Sequence, residues 1–367
     1  MSASSRSRAG VRVRTGTPGR LSVVIMRVEA SPAVRSTLER LAAEKERLFG
    51  SMDAQWTVAH ATERETSEVL KLSVSGADGI DAVFVKVLKP REPGPAARAV
   101  ARGWVTSEFE VMSGLHRSLA SFPNVRVARP LVCYPEQLAI VTAEVRGTPL
   151  SDLLERRATW WPSLDEQREL DRALFAVGGW LSVVGTVEAR EGCLSLGDMR
   201  AYIDVRLRRL LEAHPPALDE ARRTTVLRYF DRTAMEVDPA DLRQVLTHAD
   251  LAPSNVIVSG QEVSVIDFAR AAPGGLFMDV TRLYTQLEFL TAKPKFRPAV
   301  VRSLQAALLR GFDESLDPQR PLFRLFVLQH LLCHMSNIAR NPAPLLARLY
   351  NRHQLVLRQR WLQTFAA

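Results

Sequence analysis

The feature that most constrains this chain is a pair of motifs late in the sequence, HADLAPSN at residues 248–255 and VSVIDF at residues 263–268. A short apolar segment joins them and has the pattern of a β-hairpin. The first motif places Asp250 and Asn255 in a loop after an apolar run, and the second places Asp267 at the end of a strand. A hairpin between the motifs would bring these three polar side chains together.

These residue types suit phosphoryl transfer. In that reaction the protein mainly holds the nucleophile in line with the phosphate and neutralises charge. Asp250 is predicted to orient an acceptor hydroxyl and receive its proton. Asn255 and Asp267 are predicted to hold Mg²⁺, which prefers hard oxygen ligands. A lone aspartate is more often a turn or cap residue, but that interpretation would have to explain each of the three residues separately.

Hydrophobic periodicity divides the chain into a β-rich first part and an α-rich second part. A helix is predicted after Ser31, where proline follows a capping residue. Five strands are predicted, at residues 55–61, 68–75, 80–88, 127–133 and 138–145. Residues 89–103 are rich in Pro, Ala and Arg and are predicted to form a loop before the helix that precedes the fourth strand. From Leu150 onward the pattern is almost wholly helical, with one short break of strand and loop character between Gln244 and Ala272.

The length of 367 residues favours two domains, because single hydrophobic cores stop growing near about 250 to 300 residues. The predicted divisions are residues 1–25, a disordered basic tail or a misassigned start, residues 26–146, an N-terminal lobe with a leading helix, and residues 147–367, a C-terminal lobe. The cysteines have neither disulfide nor zinc spacing, which favours a cytoplasmic protein. The uncharged run 173–187 is too short to cross a membrane and is predicted to be a buried helix.

The two motifs resemble the catalytic loop and metal-binding strand of the aminoglycoside phosphotransferase and choline kinase family. They match its HGDLxxxN and IDF patterns with Ala249 in place of glycine, and the resemblance extends roughly from Trp56 to Phe289. It implies an α+β, two-lobed protein-kinase-like fold, with a small five-stranded antiparallel lobe that carries one helix and a larger, mainly helical lobe. It also implies ATP- and Mg²⁺-dependent transfer of a γ-phosphate to a hydroxyl of a small molecule.

The resemblance implies further nucleotide-binding residues. The ATP-anchoring lysine of the family falls on Lys86, on the third predicted strand, and its ion-pair partner falls on Glu108 of the following helix. Lys89 and Glu110 are weaker candidates, since their positions in the local alternation differ.

The resemblance also implies a hinge and two supporting residues. Backbone groups of Ala143, Glu144 and Val145 would meet the adenine edge. His248 is expected to support the catalytic loop rather than transfer protons, and Asp279 resembles the buried aspartate that braces this loop in the family.

The sequence leaves the acceptor open. From Thr291 to the end, Lys and Arg exceed Asp and Glu by nine, and such a surface would repel polycationic aminoglycosides. A neutral or anionic acceptor, plausibly a carbohydrate, is therefore the hypothesis, although these cations could simply face water. An aminoglycoside-resistance kinase is one alternative. A catalytically inactive nucleotide-binding scaffold is another, because the turn at residues 61–67 lacks glycine and Ala249 departs from the family pattern.

Other partners are less favoured. No recognised nucleic-acid motif is present, so no specific nucleic-acid partner is expected, while peripheral contact of the basic ends with anionic surfaces stays open. His330 and His334 have the spacing of metal ligands on a helix, but leucines surround them, and packing is predicted instead.

Overall fold

The computed structural model describes residues 31–90, 92–213, 217–340 and 345–365, and in the last range it describes side chains from residue 349 onward. The prediction of a basic tail or misassigned start at residues 1–25 lies outside the described residues. Within the described part, the chain divides into two compact units. The first contains residues 31–116 and 128–145, and the second contains residues 117–127 and 146–365.

Strands and helices are numbered in chain order. The strands are β1 (Gln55–Glu63), β2 (Ser67–Ser75), β3 (Ala82–Leu88), β4 (Val125–Val127), β5 (Pro130–Tyr134), β6 (Ala139–Ala143), β7 (Thr148–Pro149), β8 (Ala189–Cys193), β9 (Arg243–Thr247), β10 (Val256–Ser259), β11 (Glu262–Val265) and β12 (Ala272–Gly275). The α-helices are α1 (Pro32–Ala43), α2 (Lys45–Phe49), α3 (Pro95–Ser118), α4 (Leu150–Arg157), α5 (Leu164–Val187), α6 (Leu196–Leu211), α7 (Glu220–Ala234), α8 (Met278–Glu288), α9 (Pro298–Phe312), α10 (Pro321–Arg340) and α11 (Leu345–Gln363).

The first unit contains an antiparallel sheet of five strands in the order β1-β2-β3-β6-β5. This confirms the fold class expected from the sequence. Side chains alternate along β3, as they must in a strand. Val83, Val85 and Val87 are buried in one core with Leu41 of α1 and Phe49 of α2. The leading helices therefore cover one face of the sheet, and the alternate β3 side chains point to the other face.

One predicted boundary in the first unit was wrong. Residues 89–103 were expected to be a loop, but α3 begins at Pro95. Proline is well tolerated in the first turn of a helix, where its missing N–H has no partner to lose, and the following Ala and Arg residues favour helix. The leading helix breaks at Glu44 into α1 and α2.

The predicted strand at residues 127–133 was only partly correct, because its two ends belong to different sheets. Pro130 begins β5 in the first unit, whereas Val127 ends β4, which pairs in parallel with β11 of the second unit. Proline cannot donate a ladder hydrogen bond, so it is suited to the end of a strand rather than its interior. A continuous apolar pattern does not show this division.

The second unit is mainly helical, and its central contact is the crossing of α5 and α9. A Cβ atom at Gly178 would lie 2.2 Å from the carbonyl oxygen of Leu308, and one at Gly311 would lie 2.0 Å from that of Phe175. The two backbones thus meet where only glycine fits. Within the described ranges, α5 is the one helix long and apolar enough to span a membrane, and half of its most apolar stretch is buried in the protein.

Two small sheets of the second unit hold the predicted catalytic segment. One has the order β4-β11-β10-β7, and the other has the order β12-β9-β8. β10 and β11 form the predicted hairpin, with Val256 paired to Val265. The loop from His248 to Asn255 leaves β9 in one sheet and enters β10 in the other.

Candidate active site

The loop from His248 to Asn255 is fixed at its start by Asp279 of α8. The two carboxylate oxygens of Asp279 accept hydrogen bonds from the backbone N–H groups of His248 at 2.6 Å and Ala249 at 3.1 Å. Burial raises the pKa of Asp279, against the lowering effects of His248, of these two hydrogen bonds and of Arg282. The structure thus gives Asp279 the contacts that the predicted bracing role requires.

His248 connects the same loop to the strand that ends at Ile266. The imidazole is buried, its Nε2 lies 3.0 Å from the carbonyl oxygen of Ile266, and its Nδ1 accepts from the backbone N–H of Asp250 at 3.3 Å. The two ring nitrogens therefore tie the start of the loop to the strand that ends at Ile266. The ring also packs against Phe268, with centroids 4.8 Å apart. These contacts suit support rather than proton transfer.

Asp250 is partly exposed and lies beside two arginines. Arg282 of α8 donates through Nη2 to its Oδ1, and Arg270 places its Nε 3.7 Å from Oδ2. Arg282 also donates through Nε to the carbonyl oxygen of Leu251 at 3.1 Å, and Gln286 donates to the same oxygen at 2.9 Å. Neither arginine nor Gln286 was predicted to be part of the site.

A signal for these contacts was present in the sequence. Asp279, Arg282 and Gln286 are spaced i, i+3 and i+7, so they lie on one face of a helix. What the sequence could not show is that this face points at the catalytic loop rather than at solvent.

Asn255 and Asp267 are brought to the same end of the β10–β11 hairpin. The backbone N–H of Ile266 donates to the carbonyl oxygen of Asn255 at 3.0 Å, which places Asp267 next to it. The Asn255 amide donates through Nδ2 to the Asp250 carbonyl oxygen at 3.2 Å, so its Oδ1 is oriented away from that bond. Asp267 has a left-handed backbone, with φ 69°.

These two side chains fit the predicted metal. Mg²⁺ is commonly held by one or two protein oxygens together with substrate phosphates, and a carboxylate and an amide oxygen are hard donors. Among the residues that the structure describes, no cluster of three or more His, Cys, Asp or Glu side chains could hold a metal by itself. A site completed by a bound nucleotide is therefore the arrangement that fits these residues.

In the first unit, the predicted lysine and its partner form an ion pair. Lys86 Nζ lies 2.8 Å from Oε1 and 3.1 Å from Oε2 of Glu108, whose side chain is 3% exposed. The weaker candidate Lys89 instead pairs with Glu63 at 2.5 Å and Glu68 at 3.7 Å. The geometry therefore favours Lys86 over Lys89.

Two of the three predicted hinge residues already donate their N–H groups to backbone carbonyl oxygens. The N–H of Ala143 donates to the carbonyl oxygen of Arg129, and that of Glu144 donates to the carbonyl oxygen of Ala82, both at 2.9 Å. No such bond from Val145 occurs within the described part of the chain. Of the three hinge residues, Val145 is thus the one whose N–H is outside the backbone bonds of the described residues.

Some of the cations in the basic C-terminal segment are paired with a carboxylate or buried, and others are exposed. Lys293 and Lys295 pair with Glu155, and Arg358 is 4% exposed. The exposed arginines without an ion pair to any described residue include Arg297, Arg302, Arg340 and Arg352.

His330 is buried in the second unit and His334 is half-buried on the same helix, and both make packing contacts, as predicted. His330 Nε2 lies 2.9 Å from the carbonyl oxygen of Met278, and His334 stacks on Phe289 at 4.1 Å. Burial lowers the pKa of both histidines to about 3, with further lowering by Arg282 for His330 and by Arg358 and Arg282 for His334. Both are therefore neutral over the physiological pH range.

The five-stranded sheet, the braced loop and the hairpin together define a protein of the kinase-like class. The sequence matches the profile of the phosphotransferase enzyme family, APH, over residues 84–317. Because this match spans more than half of the chain, the protein belongs to that family.

Solved structures of kinases share this fold. A streptomycin–ATP ternary complex of APH(2'')-IIa has a TM-score of 0.52 and 12% identity, with 87% of this chain and 95% of that chain covered. ADP-bound APH(2'')-Ib has a TM-score of 0.52 and 14% identity, with 89% and 98% covered. A thermostable mutant of APH(4)-Ia with ADP and hygromycin B has a TM-score of 0.51 and 14% identity, with 89% and 97% covered. A search of curated protein sequences finds no match.

Proposed function

We propose that this protein transfers the γ-phosphate of ATP to a hydroxyl group of a small molecule, with Mg²⁺ as cofactor. The observation that carries the proposal is the arrangement of Asp250, Asn255 and Asp267 around one loop and one hairpin, braced by Asp279. Family membership and the ADP and ATP bound in similar structures support it.

The proposed site residues divide into those that would bind ATP and those that would act in catalysis. Lys86, held by Glu108, would contact the phosphates of ATP, and Val145 would meet the base. Asp250 would orient the acceptor hydroxyl and accept its proton, which is the role of a carboxylate in this reaction. Mg²⁺, when bound by the oxygens of Asn255 and Asp267, would neutralise charge on the phosphates. We accordingly assign ATP binding to residues 26–146, and catalysis and acceptor binding to residues 147–367.

For the acceptor, we propose a neutral or anionic hydroxyl compound, plausibly a carbohydrate. The support is electrostatic: Arg297, Arg302, Arg340 and Arg352 are exposed and have no ion-pair partner within the described ranges. Unpaired cations disfavour the approach of a polycation. The cytoplasmic location proposed with this function is supported by the three cysteines, all of which are free thiols.

The test is an ADP-release assay with Mg-ATP and a panel of sugars, amino alcohols and aminoglycosides. The substitution Asp250→Asn should lower kcat by roughly 10²- to 10⁴-fold, because general-base assistance is lost. Asp165→Asn is the matched control, since this exposed aspartate lies in the first turn of α5. Efficient turnover of an aminoglycoside in preference to sugars would overturn the acceptor proposal and favour a resistance kinase.

The structure also offers some support for a scaffold that binds nucleotide without turnover. In the glycine-free turn between β1 and β2, Thr62 bonds to His60, and Ser67 is buried, so few hydroxyl groups there are available to phosphate. Thermal stabilisation by Mg-ATP, with no ADP release above the Asp250→Asn background for any acceptor, would establish this alternative.

A further inference from the structure

We propose that Arg282 is a positioning residue for phosphoryl transfer, and that it assigns different roles to the two oxygens of Asp250. In this inference, which rests on the proposed function, Arg282 holds Oδ1 and leaves Oδ2 as the oxygen that accepts the proton of the acceptor hydroxyl. The family resemblance had pointed to Asp279 of α8 but not to Arg282.

Arg282 holds two groups of the catalytic loop. Its Nη2 donates to Oδ1 of Asp250, and its Nε donates to the carbonyl oxygen of Leu251 at 3.1 Å. One planar guanidinium thus fixes both the side chain of Asp250 and the backbone that follows it. The rigid fork of donors in arginine suits such a double contact, which the single ammonium of lysine cannot reproduce in the same geometry.

The helix α8 holds four consecutive residues of the loop. Asp279 accepts from the backbone N–H groups of His248 and Ala249, and Arg282 binds Asp250 and Leu251. Asp279 and Arg282 lie about one turn apart on the same face of α8. The catalytic loop is therefore positioned by a rigid element, and Arg282 is the part of that element which reaches the reactive carboxylate.

The two oxygens of Asp250 have different surroundings. Arg270 places its Nε 3.7 Å from Oδ2, a distance beyond that of a hydrogen bond. The Asp250 side chain is 40% exposed, whereas that of Arg282 is only 23% exposed. Oδ1 is thus occupied by Arg282, whereas Oδ2 accepts no hydrogen bond within the described part of the chain and belongs to a partly exposed side chain.

The chemical step follows from this assignment. The acceptor oxygen forms a bond to the γ-phosphorus, and the bond from that phosphorus to the bridging oxygen breaks, with its electron pair leaving on ADP. The hydroxyl proton moves to Oδ2 of Asp250. Arg282 touches none of the reacting atoms and acts by holding the carboxylate, so that Oδ2 lies where the hydroxyl arrives.

Two substitutions of Arg282 test the proposal. Arg282→Met should lower kcat by about 100-fold, the usual effect of a misplaced catalytic group, with little change in the KM for ATP. Arg282→Lys should recover part of the loss, because its charge can still reach Oδ1. Arg228→Met, at an exposed arginine of α7 that makes no ion pair within the described part of the chain, is the matched control and should leave kcat near the wild-type value.

The folding of each variant and the chemical rescue of kcat are measured together with the kinetics. The melting temperature of each variant shows whether it is folded, and methylguanidinium added to Arg282→Ala should restore part of kcat, since it can occupy the vacated position. A purely structural residue would show no such rescue. Wild-type kcat in Arg282→Met, or an equal loss in Arg228→Met, would overturn the positioning role.

The wild-type protein separates this inference from the function on which it rests. If the wild type releases ADP with some acceptor and Asp250→Asn does not, but Arg282→Met keeps full activity, only the inference fails. If the wild type and Asp250→Asn behave alike with every acceptor, the proposed function fails and the inference fails with it.

Discussion

Ala249 adopts a backbone conformation that favours glycine. Its φ is 58°, and the left-handed region costs an L-residue with a Cβ roughly 1 to 2 kcal/mol. The family motif that this segment resembles has glycine at this position, so Ala249 takes a conformation that suits glycine, at the cost of some strain. The departure at Ala249 therefore gives little support to an inactive scaffold. Asp267, with φ 69°, is a second strained residue in the same site, and such strain tends to cluster where function requires a fixed geometry.

Replacing this alanine should relieve the strain. We expect Ala249→Gly to raise the free energy of unfolding by about 1 kcal/mol and to leave kcat unchanged. Urea unfolding measures the effect, and Ala306→Gly on the exposed face of α9 is the control, which should lose about 1 kcal/mol because glycine weakens a helix. A loss of stability in both variants would show that the conformation at Ala249 carries no strain.

At the scale of elements, the second unit depends on the close crossing of α5 and α9. A Cβ at Gly311 would lie 2.0 Å from the carbonyl oxygen of Phe175, a backbone atom that no side-chain rotation can move aside. The same crossing explains how a long apolar helix is accommodated within a folded protein. Its apolar face packs against another helix, and the glycines allow the backbones to approach.

We expect Gly311→Ala to destabilise the protein by about 1 to 3 kcal/mol, the usual range for overpacking. The matched control is Gly179→Ala in α5, where an added Cβ would lie 3.8 Å from its nearest neighbour, the carbonyl oxygen of Gly311. This control should be neutral or slightly stabilising, because alanine favours helix more than glycine does. Thermal unfolding of both variants measures the difference, and equal melting temperatures would contradict the close crossing.

For the whole molecule, the buried histidines predict sensitivity to acid. The pKa of His330 and of His334 is lowered to about 3 in the folded protein, whereas an unfolded histidine has a pKa near about 6.5. Below about pH 6.5 the unfolded chain therefore binds protons that the folded chain does not. Stability should be complete above that pH and fall as the pH decreases toward 3.

By pH 5, each of these histidines should cost about 1 to 2 kcal/mol of unfolding free energy relative to pH 7.5. Urea unfolding at the two pH values measures this cost. His334→Gln should reduce the difference between them, whereas His353→Gln should not, since His353 is exposed on α11. An unchanged pH dependence in His334→Gln would contradict the assignment of a neutral, buried imidazole.

Much of the fold could be predicted from sequence because its signals are local. Alternation such as Val83, Val85 and Val87 specifies a strand with one buried face, and the five-stranded antiparallel sheet was confirmed. The prediction of a loop at residues 89–103 was wrong because proline marks the start of α3 and does not prevent it. The residues of the candidate site were chosen from motif spacing, and the structure places Asp250, Asn255 and Asp267 around one hairpin.

The sequence by itself determined which residues can carry the chemistry and which segments form strands or helices, because side-chain type and periodicity act over a few neighbouring residues. Only the tertiary structure decided that Arg282 binds Asp250, that β4 pairs with β11, and that backbone bonds already engage Ala143 and Glu144. These contacts join residues far apart along the chain. Packing of the whole unit selects such partners, and no local pattern records them.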